Sequence, residues 1–200
     1  MTNELVEVAS LLATHEVLPL HLAVTLADDR LERLWAESNA PDPMLVILHR
    51  TKRALPVRLA IRAAELACEK QIRYDEDRRQ QTMKPEEILD LLDRIDRGVV
   101  RVDSEKMRIL RDALVSDEEE AEERDHYEEA RAWGALRYAI SAVIQAGLRL
   151  DVTLTVRLGV RLALAAGADV NTVAAWVREL GPPPTLAEII IASQQALPSE

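Results

Sequence analysis

Nine carboxylates crowd thirteen residues of this 200-residue chain: Asp117, Glu118, Glu119, Glu120, Glu122, Glu123, Asp125, Glu128 and Glu129. Carboxylates at that density can attract a basic partner, hold a metal ion, or serve as acids and bases on a phosphate ester. The metal reading starts from Glu123 and His126, an E-x-x-H. Helical di-iron sites need two such motifs plus two further glutamates. The other histidines, His15, His21 and His49, lack a glutamate three residues earlier. No metal and no cofactor are therefore expected. The hydrolytic reading starts from E-x-x-E at Glu119/Glu122 and Glu120/Glu123, with E-x-x-D at Glu87/Asp90 as a second half. Two facing helices carrying these would suit a magnesium-dependent, all-helical hydrolase of nucleotides or other phosphates. These spacings are common in acidic helices, and the chain lacks a G-x-S-x-G, a phosphate-binding glycine loop and an H-E-x-x-H.

A basic stretch balances the acidic one. Arg50, Lys52, Arg53, Arg58 and Arg62 fall within HRTKRALPVRLAIR, which contains no acid. The stretch could touch nucleic-acid phosphate. A net charge of −10 opposes that, and three Trp and three Tyr in the whole chain give little for bases to stack on. Pairing of these cations with the acidic run is the simpler expectation. The charge pattern is read first as a non-enzymatic interaction module: an adaptor, regulator or toxin-neutralising protein docking a basic partner through residues 117–129. Phosphate hydrolysis and nucleic-acid binding through 50–62 are the alternatives.

The elements that must carry these residues are helices. Apolar residues make up 48% of the chain, drawn chiefly from Ala and Leu, and there are only six Gly and no Phe. An all-α bundle of about ten helices follows. Thr2 or Asn3 caps the first helix, through about His15, and Pro19 opens a second to Glu37 with Leu20, Val24, Ala27, Leu31, Leu34 and Trp35 inward. MLVILHR is a short apolar helix. Pro56 opens a fourth helix to about Gln80, whose polar line is Arg58, Arg62, Glu65, Glu69 and Arg73. Pro85 opens a fifth, which Gly98 closes. Ser104 caps a helix to Val115.

Ser116-Asp-Glu-Glu119 reads as a capping box and so predicts the longest helix, 117–146. The acids then fill its first turns, where the helix dipole favours negative charge. Thr185-Leu-Ala-Glu188 reads as a second box, opening the last helix through Leu197. The helix between Asp151 and Gly167 looks apolar on nearly all faces. That predicts a central position or a subunit interface for the C-terminal helices, with Arg157 and Arg161 needing partners. GVVRV, 98–102, is a linker or extended edge, with the linker set at 99–103. It divides the chain into halves 1–98 and 104–200, or lies within one continuous domain.

VRLAIRAAELA (57–67) and VRLGVRLALAA (156–166) share Val, Arg, Leu, Arg, Ala and Ala in register. The pattern V-R-x-x-φ-x-x-A loosely resembles the HEAT class of helical repeats, which would imply two five-helix halves stacked as a duplication. The match covers these two stretches alone, and a stacked repeat normally needs three copies. Cys68, the single cysteine, lies between helix formers, which implies a buried thiol and no internal disulfide. The N-terminus carries acids where an export signal needs bases, and the longest uncharged stretches run to about eleven residues against the roughly twenty of a spanning helix. A cytoplasmic protein is expected.

Overall fold

A computed structural model describes residues 4–14, 16–26, 28–72 and 84–195. The proposed caps Thr2 and Asn3, His15, Ala27, Arg73 and the final residues to Leu197 lie outside the described residues. The chain is all-α, with eleven helices and no strand among the described residues. It divides into two compact units, 1–55 with 170–200, and 56–169. The segment 99–103 and both its flanks, 56–98 and 104–169, therefore fall inside one unit.

The first unit holds α1 (Glu4–Ala13), α2 (Leu20–Thr25), α3 (Asp28–Glu37), α4 (Pro41–Arg50), α10 (Val170–Glu179) and α11 (Leu186–Gln194). Its centre is α4, the MLVILHR helix, which buries Met44, Leu45, Val46, Ile47 and Leu48. α1 packs on it through Leu5, Val8 and Leu12, and α10 through Val173, Ala174 and Val177. The second helix expected from Pro19 to Glu37 is two. α2 ends at Leu26, whose backbone leaves the helical region (φ −95°, ψ 42°). That break rephases the buried face: Leu22, Leu26, Leu31 and Trp35 are inside, while Leu20 and Val24 are 80% and 73% exposed. The capping box at 185–188 is present in full. Thr185 Oγ1 accepts from the Glu188 N–H, and the Glu188 carboxylate accepts from the Thr185 N–H at 2.7 Å.

The second unit holds α5 (Val57–Gln71), α6 (Pro85–Asp96), α7 (Ser104–Glu123), α8 (Tyr127–Gly147) and α9 (Thr153–Ala165). α8 is the axle, packed by α5, α6, α7 and α9. Ala130, Ala132, Gly134, Ala135, Ala139 and Ala142 give it a surface small enough for neighbours to approach closely. At Gly159 of α9 an added Cβ would stand 3.1 Å from Tyr138 Cβ of α8 and 3.7 Å from Ala60 Cβ of α5. Ala60 and Gly159 are equivalent positions in the two similar stretches, so that similarity marks a helix crossing. α9 is not apolar all round in its setting: Arg161 and Leu154 are exposed, and Arg157 is half-buried. Gly98 (φ +73°) closes α6 as expected, with the Val99 and Val100 N–H groups donating to Arg94 O. Residues 99–103 have no strand geometry.

The largest departure is at the acidic run. α7 begins after Asp103, whose carboxylate accepts from the Lys106 N–H at 3.1 Å, and it continues through Ser116 without interruption. Ser116-x-x-Glu119 is thus mid-helix and caps nothing. The helix breaks instead at Arg124–His126, where Asp125 adopts a left-handed conformation (φ +59°) and the His126 N–H returns to Ala121 O at 2.9 Å. Aspartate is one of the few residues that accept that conformation readily, and inside so acidic a run nothing in its neighbours marks it as a breaker.

Candidate functional site

The break places most of the acidic run on the last turns of α7, and the rest on the turn and on the first turn of α8. Helix dipoles are negative at C-termini. Glu120, Glu122 and Glu123, in the last turn of α7, therefore sit where the backbone disfavours negative charge, the reverse of the arrangement expected from a helix starting at 117. Only Glu128 and Glu129, in the first turn of α8, occupy a dipole-favoured position.

The nine acids divide by face. Leu114 and Ala121 are buried against the rest of the unit. Glu118, on their flank and 20% exposed, lies across Gly134 and accepts from Arg137 Nε at 2.8 Å. The Arg137 guanidinium stands 5.2 Å from the Tyr138 ring centroid. Asp117 is half-buried, Glu120 pairs with Arg124, and Glu129 meets His126 Nδ1 at 3.2 Å. Glu119, Glu122 and Glu123, at spacing i, i+3, i+4, form the opposite, exposed face. Asp125 and Glu128 are also exposed, and Asp125 accepts from the Tyr127 hydroxyl at 2.8 Å, which raises the affinity of that phenol for its proton. The surviving surface is thus five carboxylates around the α7–α8 turn.

The basic segment spans the boundary between the two units. Arg50, Lys52 and Arg53 belong to the first unit, and Arg58 and Arg62 to the second. Arg53 binds both Glu188 oxygens at 3.0 and 3.2 Å, and Arg50 donates to Ala13 O at 3.3 Å. Lys52 takes a left-handed turn (φ +57°) after α4. Within the acidic run, Glu120 pairs with Arg124 and Glu118 with Arg137. With the Thr185 N–H as the larger cause and Arg53 behind it, the Glu188 carboxyl is held below its ordinary range.

Arg58 and Arg62 instead line a groove between α5 and α6, with a volume of about 380 Å³. Its other walls come from Glu65 and Glu69 on α5 and from acids of α6. The α5 polar line was legible in the sequence. Its α6 counterpart, Glu86, Asp90, Asp93 and Arg97 at steps of four, three and four, was the readable signal left unused. Glu87 and Asp90 are exposed on α6, which packs on α5 and α8, whereas Glu119 and Glu122 are on α7.

Glu123 and His126 lie on either side of the helix break, so the E-x-x-H spacing no longer sets both on one helical face. Among the described residues no group of three or more His, Cys, Asp or Glu side chains is placed to hold a metal ion. Cys68 is buried with its thiol directed at Ala132 O, 3.9 Å away. Burial, reinforced by Glu86, Glu69 and Glu65, pushes its pKa up to about 12, so the thiolate is scarce. Among the described residues no helix is long and apolar enough to cross a membrane. Comparison with protein-family models, curated protein sequences and solved structures gives no match.

Proposed function

We propose that this all-helical protein is a non-enzymatic interaction module that docks a basic protein through the acidic turn between α7 and α8. One observation carries the reading. Glu119, Glu122 and Glu123 are exposed toward the C-terminal end of α7, where their mutual repulsion opposes all three and the helix dipole opposes Glu122 and Glu123. A fold gains nothing from charges in that position, whereas a cationic partner gains from the carboxylates and from the α7 carbonyl ends together. Asp125 and Glu128 extend the same negative surface around the turn. An adaptor, a regulator or a neutraliser of a basic toxin is served by this surface equally well.

Affinity capture tests it. The native chain and a variant with Glu119, Glu122, Glu123, Asp125 and Glu128 changed to Gln or Asn are used as baits. The native bait retains a basic protein that elutes as salt rises, and the neutralised bait does not. The same proteins on both baits would overturn the proposal.

A further inference from the structure

The groove between α5 and α6 carries charge of both signs, sorted by end. Cys68, near the end of α5, reaches Ala132 near the start of α8, and Ala60, near the start of α5, lies with Tyr138 further along α8, while Val102, just past α6, meets Gly147 at the end of α8. The two helices therefore run in opposite directions along the groove. Arg58 to Glu69 on one wall and Glu86 to Arg97 on the other each span about 16 Å at the helical rise. One end of the groove gathers Arg58, Arg62 and Arg97 with the single acid Asp93, and the other gathers Glu65, Glu69, Glu86 and Asp90. Ile61 and Leu89 provide apolar floor between them.

Intramolecular interactions answer part of this charge, that of Arg62 included. Asp93 meets Arg97 at 2.8 Å and Asp90 meets Arg94 at 3.6 Å. Arg58, Glu65, Glu69 and Glu86 form no ion pair among the described residues.

We propose that this groove is a self-association face, occupied by the α5–α6 groove of a second copy of the chain. The two copies are related by a two-fold axis that lies in the interface and crosses the groove. That operation reverses the direction of the groove, so the arginine end of each copy faces the carboxylate end of the other, twice over. An axis along the groove would set like charge on like charge. A surface whose charge reverses from end to end is its own complement under the first operation, as an isologous contact requires. A foreign partner would have to carry the same bipolar stripe, which this chain already supplies. Near-antiparallel docking of two helix pairs is also an ordinary packing geometry. At about 0.15 M salt the Debye length of roughly 8 Å screens the net −10 of each copy while leaving contact pairs effective. The inference is independent of the acidic turn, which takes no part in the contact.

The test is a charge-swap complementation followed by sedimentation velocity, from about 1 to about 300 μM protein because exposed pairs give weak dimers. Variant one is Arg58→Glu with Arg62→Glu, and variant two is Glu65→Arg with Glu69→Arg. The native chain dimerises as concentration rises. Each variant alone opposes like charges at both contacts and stays monomeric, its Kd weakened at least about tenfold. Their equimolar mixture restores opposite charges at both contacts and dimerises again. A native chain that remains monomeric throughout overturns the proposal. So do variants that still dimerise alone, or a mixture that stays monomeric. The single changes Arg58→Glu and Glu69→Arg stand in, with the same pattern in smaller degree, if a double variant loses its helical circular dichroism.

Discussion

Neutralising the exposed face of the α7 terminus should make the protein more stable. The perturbation is Glu119, Glu122 and Glu123 to Gln together, which removes three charges while nearly preserving shape and helix propensity. Glu122 and Glu123 lie in the last turn of α7, where a like-signed charge costs about 0.3–1 kcal/mol against the dipole. The 119/122 and 119/123 pairs each add a repulsion of roughly 0.2–0.5 kcal/mol. All three side chains are exposed, so the low end of each range applies and the sum is about 1 kcal/mol. For a domain of this size that raises Tm by about 2–5 °C. Glu128→Gln is the opposing control. It removes a charge from the first turn of α8, where the dipole favours it, and lowers Tm slightly. The assay is thermal unfolding by circular dichroism at low ionic strength and again near 1 M salt, where a Debye length of roughly 3 Å suppresses both shifts. If the triple variant is no more stable than the native chain at low salt, or if both changes shift Tm in the same direction, the argument from the helix break fails. A continuous helix starting at 117 would set the relieved repulsion against a lost favourable dipole contact at Glu119 and leave Tm nearly unchanged.

Other outcomes follow from the same packing. Gly159→Val forces a branched side chain against Tyr138 Cβ and Ala60 and should destabilise the second unit by about 1–3 kcal/mol, read in urea unfolding; a neutral result would mean the α5–α8–α9 crossing is looser than its distances. Thr185→Ala removes one arm of the capping box and should cost about 0.5–2 kcal/mol, with exchange protection lost first in α11 by amide hydrogen exchange. Because Glu188 is held below its ordinary carboxyl range in the fold, its charged form stabilises the first unit above that range. The contribution fades as pH falls through the depressed value, so native and Glu188→Gln chains should converge in stability at acid pH. Cys68 should resist a thiol reagent at neutral pH until the protein is unfolded, and rapid stoichiometric labelling of the native chain would contradict its burial.

How much of this was legible beforehand depends on whether a signal was local. The helical content, the second capping box, the openings at Pro56 and Pro85 and the closure at Gly98 all follow from neighbours in sequence acting on backbone geometry. They are present in the structure as read. The break between α2 and α3 was not legible, since a hydrophobic period carried across it looks continuous until burial shows the phase has slipped. The Ser116 box failed for a similar reason. A hydroxyl followed three residues later by Glu marks a helix start only if the backbone before it is not already helical, and α7 supplies that backbone. For the candidate site the consequence is a change of sign: the sequence names the nine acids, but which pole of a helix they occupy is set by a turn at Asp125.

By itself, then, the sequence determined what depends on composition and on contacts within a few residues: an all-helical chain, acidic overall, with one cysteine among helix formers and carboxylates concentrated at 117–129. Tertiary structure decided which charges answer one another. Glu118 is taken by Arg137, nineteen residues on, and Arg53 by Glu188, 135 residues on, while Arg58 and Arg62 share a groove with acids of another helix. Charge pairs are chosen by packing, because a Coulomb interaction depends on distance in space, and two helices that cross at Ala60 and Gly159 bring together residues with no proximity in the chain.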